Sequence, residues 1–235
     1  MVKHGKRYNN ILEKIDISKL YNLEDSVALA KSTASAGFDE TVELHLKTNA
    51  DPRQADQLVR GVVILPHGVG KTVRVAVFVQ GEGVSIAEQA GADYVGSEDL
   101  VKKVESGWSD FDVAIATPDM MSQIGKLGKI LGRKGLMPNP RTGTVVKLDD
   151  ISRAVNDSKK GRVEYKLDKT SIVHVSVGKV SFTEEQLIDN IRTLMYDIIK
   201  SKPSGIKGQF IKSAYLTTTM GPSIALEVSN IIDSE

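Results

Sequence analysis

The stretch from Val73 to Ala116 places the tightest limit on the fold. Residues 73–79 form a short, mostly apolar run, and residues 111–116 form a second. Helical patterns fill residues 84–90 and 97–106 between them. Apolar strands alternating with helices are what a parallel sheet covered on both faces requires, because neither side of such a strand meets water. The middle of the chain therefore reads as a small Rossmann-like α/β unit. Gly81-Glu82-Gly83 follows the first strand, but Val84-Ser85-Ile86 supplies no third glycine, so the dinucleotide fingerprint is incomplete.

The flanking regions follow a different pattern. Leu23, Val27, Ala30 and Ala34 recur at helical spacing, whereas residues 41–47 alternate polar and apolar like a half-buried strand. Asp51-Pro52 predicts a helix start that Gly61 closes, with a short strand at residues 62–65. Residues 162–167 and 172–177 read as a hairpin joined through Asp168-Lys169. Thr183 and Gln186 stand at capping-box spacing before a helix to about Lys200, whose stripe of Leu187, Ile191, Leu194 and Ile198 reads as core. Residues 214–219 and 224–228 read as final strands.

The two outer thirds share a style that the middle lacks. The expected fold class is α/β and α+β: a discontinuous α+β domain of residues 1–67 and 161–235, with a Rossmann-like α/β domain inserted at residues 68–160. The crossings at Pro66, Gly68 and Gly70, and at Lys160 and Gly161, are expected to form a hinge on which the domains rotate.

Gly70-Lys71-Thr72 matches the tail of the phosphate cradle G-x-x-x-x-G-K-[S/T]. Leu65 occupies the place of the cradle's first glycine, and a strand pattern follows where a helix N-terminus should hold the phosphates. A Gly/Pro-rich joint accounts for the trio better. The alternative that stays open is a phosphate- or nucleotide-binding α/β enzyme using Lys71-Thr72.

Cysteine is absent, which excludes disulfides and thiolate metal sites. No signal-peptide core follows the basic opening Met1-Val2-Lys3-His4-Gly5-Lys6-Arg7, and no apolar run approaches the roughly 20 residues that span a bilayer. The chain reads as cytoplasmic and free of membrane. Its formal net charge of +1 hides local asymmetry. Lys126, Lys129, Arg133, Lys134 and Arg141 have no acidic residue among them, and Lys159-Lys160-Gly161-Arg162 forms a second basic cluster. Such patches displace counterions from a phosphate backbone.

No catalytic constellation stands out, and no metal or cofactor is expected. His45 and His174 lie within strand patterns and read as structural, while His67 sits at the joint. Three stretches carry more than packing. Phe38-Asp39-Glu40-Thr41 puts an aromatic at the mouth of a polar-faced strand. Thr217-Thr218-Thr219-Met220-Gly221-Pro222 brings hydroxyls to a glycine corner, where glycine would let backbone approach a ligand closely. Residues 128–140, GKILGRKGLMPNP, read as a basic loop held open by glycine and proline. Folded RNA is read through shape, stacking and 2′-hydroxyl contacts, which such groups supply.

With DPRQADQLVRG at residues 51–61 and LPHGVGK at 65–71, these stretches resemble the L-one family of bacterial large-subunit ribosomal proteins, those of the mobile stalk beside the tRNA exit site. LGRKGLMPNPRTGTV at residues 131–145 is the strongest match, TTTMGP at 217–222 the next, and the likeness runs from Tyr8 to Leu226. The resemblance implies a non-enzymatic protein, monomeric when free. Its discontinuous domain would hold the ribosomal RNA of the stalk, repress its own messenger RNA through a similar site, and contact departing exit-site tRNA. It implies an RNA face of Phe38, Thr41, Glu43, Asp168, Lys169, Thr170, Ser213, Thr217, Thr219, Met220 and Gly221, with Glu43 meeting a 2′-hydroxyl or base amino group or orienting Lys169. Two positions depart from the family pattern: Gly37 stands where lysine often precedes the aromatic, and Arg133 where proline is common. A regulatory RNA-binder that works only off the ribosome is a third reading.

Overall fold

The computed structural model describes residues 5–229, so His4 and the start of the basic opening lie outside it. In chain order the helices and strands are α1 (Lys6–Leu12), α2 (Leu23–Thr33), β1 (Thr41–Thr48), β2 (Arg60–Ile64), β3 (Val75–Phe78), α3 (Gly83–Gln89), β4 (Tyr94–Gly96), α4 (Glu98–Glu105), β5 (Val113–Ala116), α5 (Met121–Ile124), α6 (Gly128–Lys134), α7 (Ile151–Lys159), β6 (Arg162–Lys166), β7 (Ile172–Lys179), α8 (Glu184–Lys200), β8 (Ile211–Thr218) and β9 (Ile224–Leu226). They fall into two compact units. One combines the chain up to Gly70 with the chain from Val163 onward; the other is Lys71–Arg162.

The outer unit is built on a four-stranded sheet in the order β7-β1-β8-β9. β1 pairs antiparallel with both β7 and β8, so this early strand takes both neighbours from the far end of the chain. Strict alternation along β1 buries Val42, Leu44, Leu46 and Thr48, and turns Thr41, Glu43, His45 and Lys47 outward. The apolar face packs under α2 and α8 through Val27, Ala30, Leu187, Ile191 and Leu194. The start of α8 carries the complete capping box, Thr183 with Gln186, which satisfies donors that a helix N-terminus otherwise leaves open.

The middle unit holds a three-stranded parallel sheet, β4-β3-β5. Phe78, Ala114 and Ala116 face α4, α5 and α6, whereas Val75, Val77 and Ile115 face α3 and α7. All four residues of β3 are buried, which is why this strand shows no polar alternation.

Three local expectations fail. Residues 51–61 hold a 3-10 turn, Ala55–Gln57, and the start of β2 rather than a helix. Gly61 lies in β2, where a side chain would collide with the Tyr165 hydroxyl, so its glycine reports tight packing and not a helix end. Residues 162–167 and 172–177 are not a hairpin: β6 pairs with β2 and β7 with β1, leaving only an isolated bridge, Leu167 to Val173. Finally, residues 128–134 form helix α6 and not an open loop. Leu127 and Leu131 anchor it in the core, and Gly135 ends it in the left-handed conformation at φ 71°.

The segment at the first crossing is fastened to the outer unit. The buried Asn190 of α8 accepts from the His67 N–H at 3.1 Å and donates to the Gly68 carbonyl at 2.9 Å. Gly68, Gly70 and Gly161 all have positive φ, where a side chain would be strained.

Candidate nucleic-acid interface

The polar face of the four-stranded sheet is assembled in rows by its register. Glu43 stands opposite Ser176 on β7 and Thr217 on β8; His45 stands opposite His174 and Tyr215; Lys47 stands opposite Ile172 and Ser213. Beyond the first row lies a corner made by the α2–β1 loop and the β8–β9 turn. Beyond the last lies the turn between β6 and β7.

At the corner, Phe38 is 56% exposed and Met220 47% exposed, although 182 positions of sequence separate them. Glu40 joins them. Its buried carboxylate accepts from the Ser35 and Ala36 N–H groups at 3.1 and 2.9 Å, and from the Met220 N–H at 2.9 Å. Burial alone would raise this carboxyl; the N–H groups of Met220, Ala36 and Ser35 outweigh it and hold the group below its ordinary value. A second clasp runs alongside, with the Thr41 N–H donating to the Thr219 hydroxyl at 2.9 Å and the Thr219 N–H to the Thr41 carbonyl at 3.1 Å. Lys179 donates to the Thr41 hydroxyl at 2.8 Å, and Asp39 receives the Ser181 N–H and hydroxyl. Gly221 has a reason internal to the protein: a Cβ there would collide with the Thr218 hydroxyl.

At the far end, Asp168 shapes the turn. It receives the Thr170 N–H, the Thr170 hydroxyl and the Ile172 N–H at 2.8, 2.6 and 2.7 Å. Slight burial pushes it up, but these donors, aided by His174, bring its pKa to about 2. Ser171 is held at φ 65°, and Lys47 reaches the Thr170 carbonyl. Lys169 is exposed and stands clear of Glu43, whose near neighbour is His45, with Oε2 to Nε2 at 3.7 Å. Glu43 orienting Lys169 is therefore not what the geometry provides. Asp168 and Thr170, in turn, satisfy one another before any ligand arrives.

The structure thus gathers Phe38, Thr41, Thr219, Met220 and Gly221 at one end, Asp168, Lys169 and Thr170 at the other, and Glu43, Ser213 and Thr217 on the strands between. Sequence reading missed Glu40 as the organiser, and it read His45 and His174 as structural without placing them on the polar face. Both imidazoles lie on that face, with Nδ1 atoms 2.8 Å apart. Alternation along residues 41–47 already carried the signal for His45, since it shares the parity of Thr41 and Glu43.

The chain matches the ribosomal protein L1p/L10e family over residues 30–222. The chain belongs to the ribosomal protein L1p/L10e family. Among similar proteins, "Large ribosomal subunit protein uL1" of Dehalococcoides mccartyi (strain ATCC BAA-2100 / JCM 16839 / KCTC 5957 / BAV1) is 54% identical across 97% of this chain and 96% of its own length. The protein of the same description from Thermosipho melanesiensis is 54% identical across 98% of this chain and 99% of its own. These relatives are named as ribosomal proteins and not as enzymes. In this member of the family Lys71 is committed to Asp112, Nζ to Oδ1 at 2.6 Å, and Arg74 shares the same carboxylate at 3.1 Å. Burial would raise Asp112, but the two cations pull its pKa to about 2. Lys71 is therefore one half of an ion pair that closes the start of β3 onto the start of β5. No described helix is long and apolar enough to cross a membrane.

Proposed function

We propose that this protein serves in the large ribosomal subunit by holding the ribosomal RNA of the mobile stalk on the polar sheet face of its outer unit. The observation that carries the reading is the corner where Glu40 brings exposed Phe38 and Met220 together from opposite ends of the chain. An exposed aromatic offers a stacking platform, and fixed hydroxyls beside it suit 2′-hydroxyl contacts. The contacting set is Phe38, Thr41, Glu43, Lys169, Ser213, Thr217, Thr219 and Met220, with Asp168, Thr170 and Gly221 shaping their backbone.

The same face would bind a stalk-like element in the protein's own messenger RNA and so repress its translation. The subunit's stalk, carrying this protein, would assist release of deacylated tRNA from the exit site in the cytoplasm. The crossings at Pro66, Gly68 and Gly70 and at Lys160 and Gly161 would let the middle unit rotate. Family membership and the composition of the face support this reading.

The test is a salt-titrated binding assay of the full chain with a stalk RNA fragment, its own messenger leader and an unrelated hairpin. Stalk and leader are expected to bind in preference to the hairpin at every salt concentration. Three equal affinities with equal salt slopes would reduce the interaction to counterion release and refute the assignment.

A further inference from the structure

Between the two ends of the sheet face lies a row outside the contacting set just described: His174, His45 and Tyr215, on three adjacent strands. β1 rises about 3.4 Å per residue, so an RNA touching both ends must pass directly over this row. The side chains are within reach of it. His45 is 24% exposed, His174 51%, and Tyr215 is 40% exposed as a residue. Neither histidine belongs to a cluster of three or more groups that could ligate a metal, among the described residues.

The geometry of the pair leaves room for one hydrogen between the rings. An Nδ1-to-Nδ1 distance of 2.8 Å needs a hydrogen on one ring and a bare nitrogen on the other. With His45 as donor, its Nε2 is bare and accepts from the Thr217 hydroxyl at 3.1 Å. The Nε2–H of His174 then points toward Asp168 Oδ2 at 3.6 Å. This neutral pair has one open basic position, Nε2 of His45, with Glu43 Oε2 at 3.7 Å from it. A second added proton would have to break the bond between the rings.

We propose that the His45–His174 pair is an RNA-contacting element of this face and takes up one proton as RNA binds. The inference rests on reading the sheet face as the RNA site. The charged and titratable groups that face the pair are Glu43 and Lys47 from β1, Asp168 from the turn, and Tyr215 from β8. In the free protein, burial first and the neighbouring His174 second hold His45 below its ordinary value, against the pull of Glu43. Arriving phosphates add negative potential, which favours the imidazolium. Proton and RNA must then strengthen one another's binding equally.

The sign follows. Below the free-state pKa the pair is protonated with or without RNA, and affinity does not vary with pH. Between the free and bound values affinity falls as pH rises, by at most about tenfold per pH unit for one proton. Above both it is flat again.

The experiment measures affinity of the full chain for the stalk fragment and an unrelated hairpin, from about pH 5.5 to about pH 8.5, either side of the usual imidazole pKa of about 6.5. His45→Gln and His174→Gln are run alongside, and calorimetry in buffers of different ionisation enthalpy counts protons. The wild type is expected to lose affinity for the stalk as pH rises and to take up a fraction of a proton, while His45→Gln, which removes the open Nε2 position, flattens the profile and His174→Gln, which keeps that position, does not. A flat wild-type profile, or a His45→Gln variant as pH-dependent as the wild type, overturns the proton linkage alone. Stalk RNA bound no better than the hairpin at any pH sinks the RNA reading, and the linkage with it.

Discussion

Two surfaces of this molecule are built to opposite specifications. On the outer unit's sheet face the polar groups are already tied together: Glu40 to three backbone N–H groups, Thr41 to Thr219 and Lys179, Asp168 to Thr170. On the middle unit Lys126, Lys129, Arg133 and Arg141 are exposed with no ion pair among the described residues. The first arrangement is rigid before any partner arrives, so little ordering opposes binding and shape decides the fit. The second offers exposed cations that any polyanion satisfies. One surface is suited to selecting and the other to attracting.

The contrast breaks most visibly if Glu40 is removed. Glu40→Ala leaves three N–H groups at a buried site without their acceptor. It is expected to destabilise the outer unit by about 3 kcal/mol, read by chemical denaturation. Stalk affinity should fall along with it. Full affinity in that variant would mean the corner need not be preformed.

Phe38→Ala removes a stacking platform without touching the clasp. It should weaken stalk binding by about 1–3 kcal/mol and leave the salt slope as it was. A change in slope instead would place Phe38 outside the selecting surface.

The triple variant Lys126→Gln, Lys129→Gln, Arg133→Gln sharpens the other side of the comparison. Binding of an unrelated RNA should become less salt-dependent, by up to about one slope unit for each cation that had neutralised a phosphate. Preference for the stalk over that RNA should persist at high salt. Lost preference would make the middle unit a selecting surface too.

The smallest effect is expected at Gly37, which is exposed with nothing near the position a Cβ would take. Gly37→Lys should add one phosphate contact beside Phe38, steepening the stalk salt slope by about 0.9 or less. An unchanged slope would show that no phosphate passes there.

Local pattern made much of this structure legible. The capping box announced α8, the apolar runs announced the parallel sheet, and alternation in residues 41–47 gave β1 and its two faces. What the sequence concealed was set by distant partners. Gly61 resembles a helix terminator until Tyr165, 104 positions later, is seen to fill its space. β6 and β7 resemble a hairpin because they are adjacent, yet each has a better partner early in the chain. Glu40 resembles any surface glutamate until Met220 delivers its N–H. Periodicity reports which side of an element is apolar; it says nothing about which far segment arrives to cover it.

The placement of β1 between two late strands has a consequence for synthesis. While the protein is being made, the segment that will become the centre of the platform waits unpaired, and Phe38 has no corner to stand in. Only when Thr219 and Met220 leave the exit tunnel do they reach back to close it. A product cut short before Thr219 would therefore lack the clasp that shapes the corner.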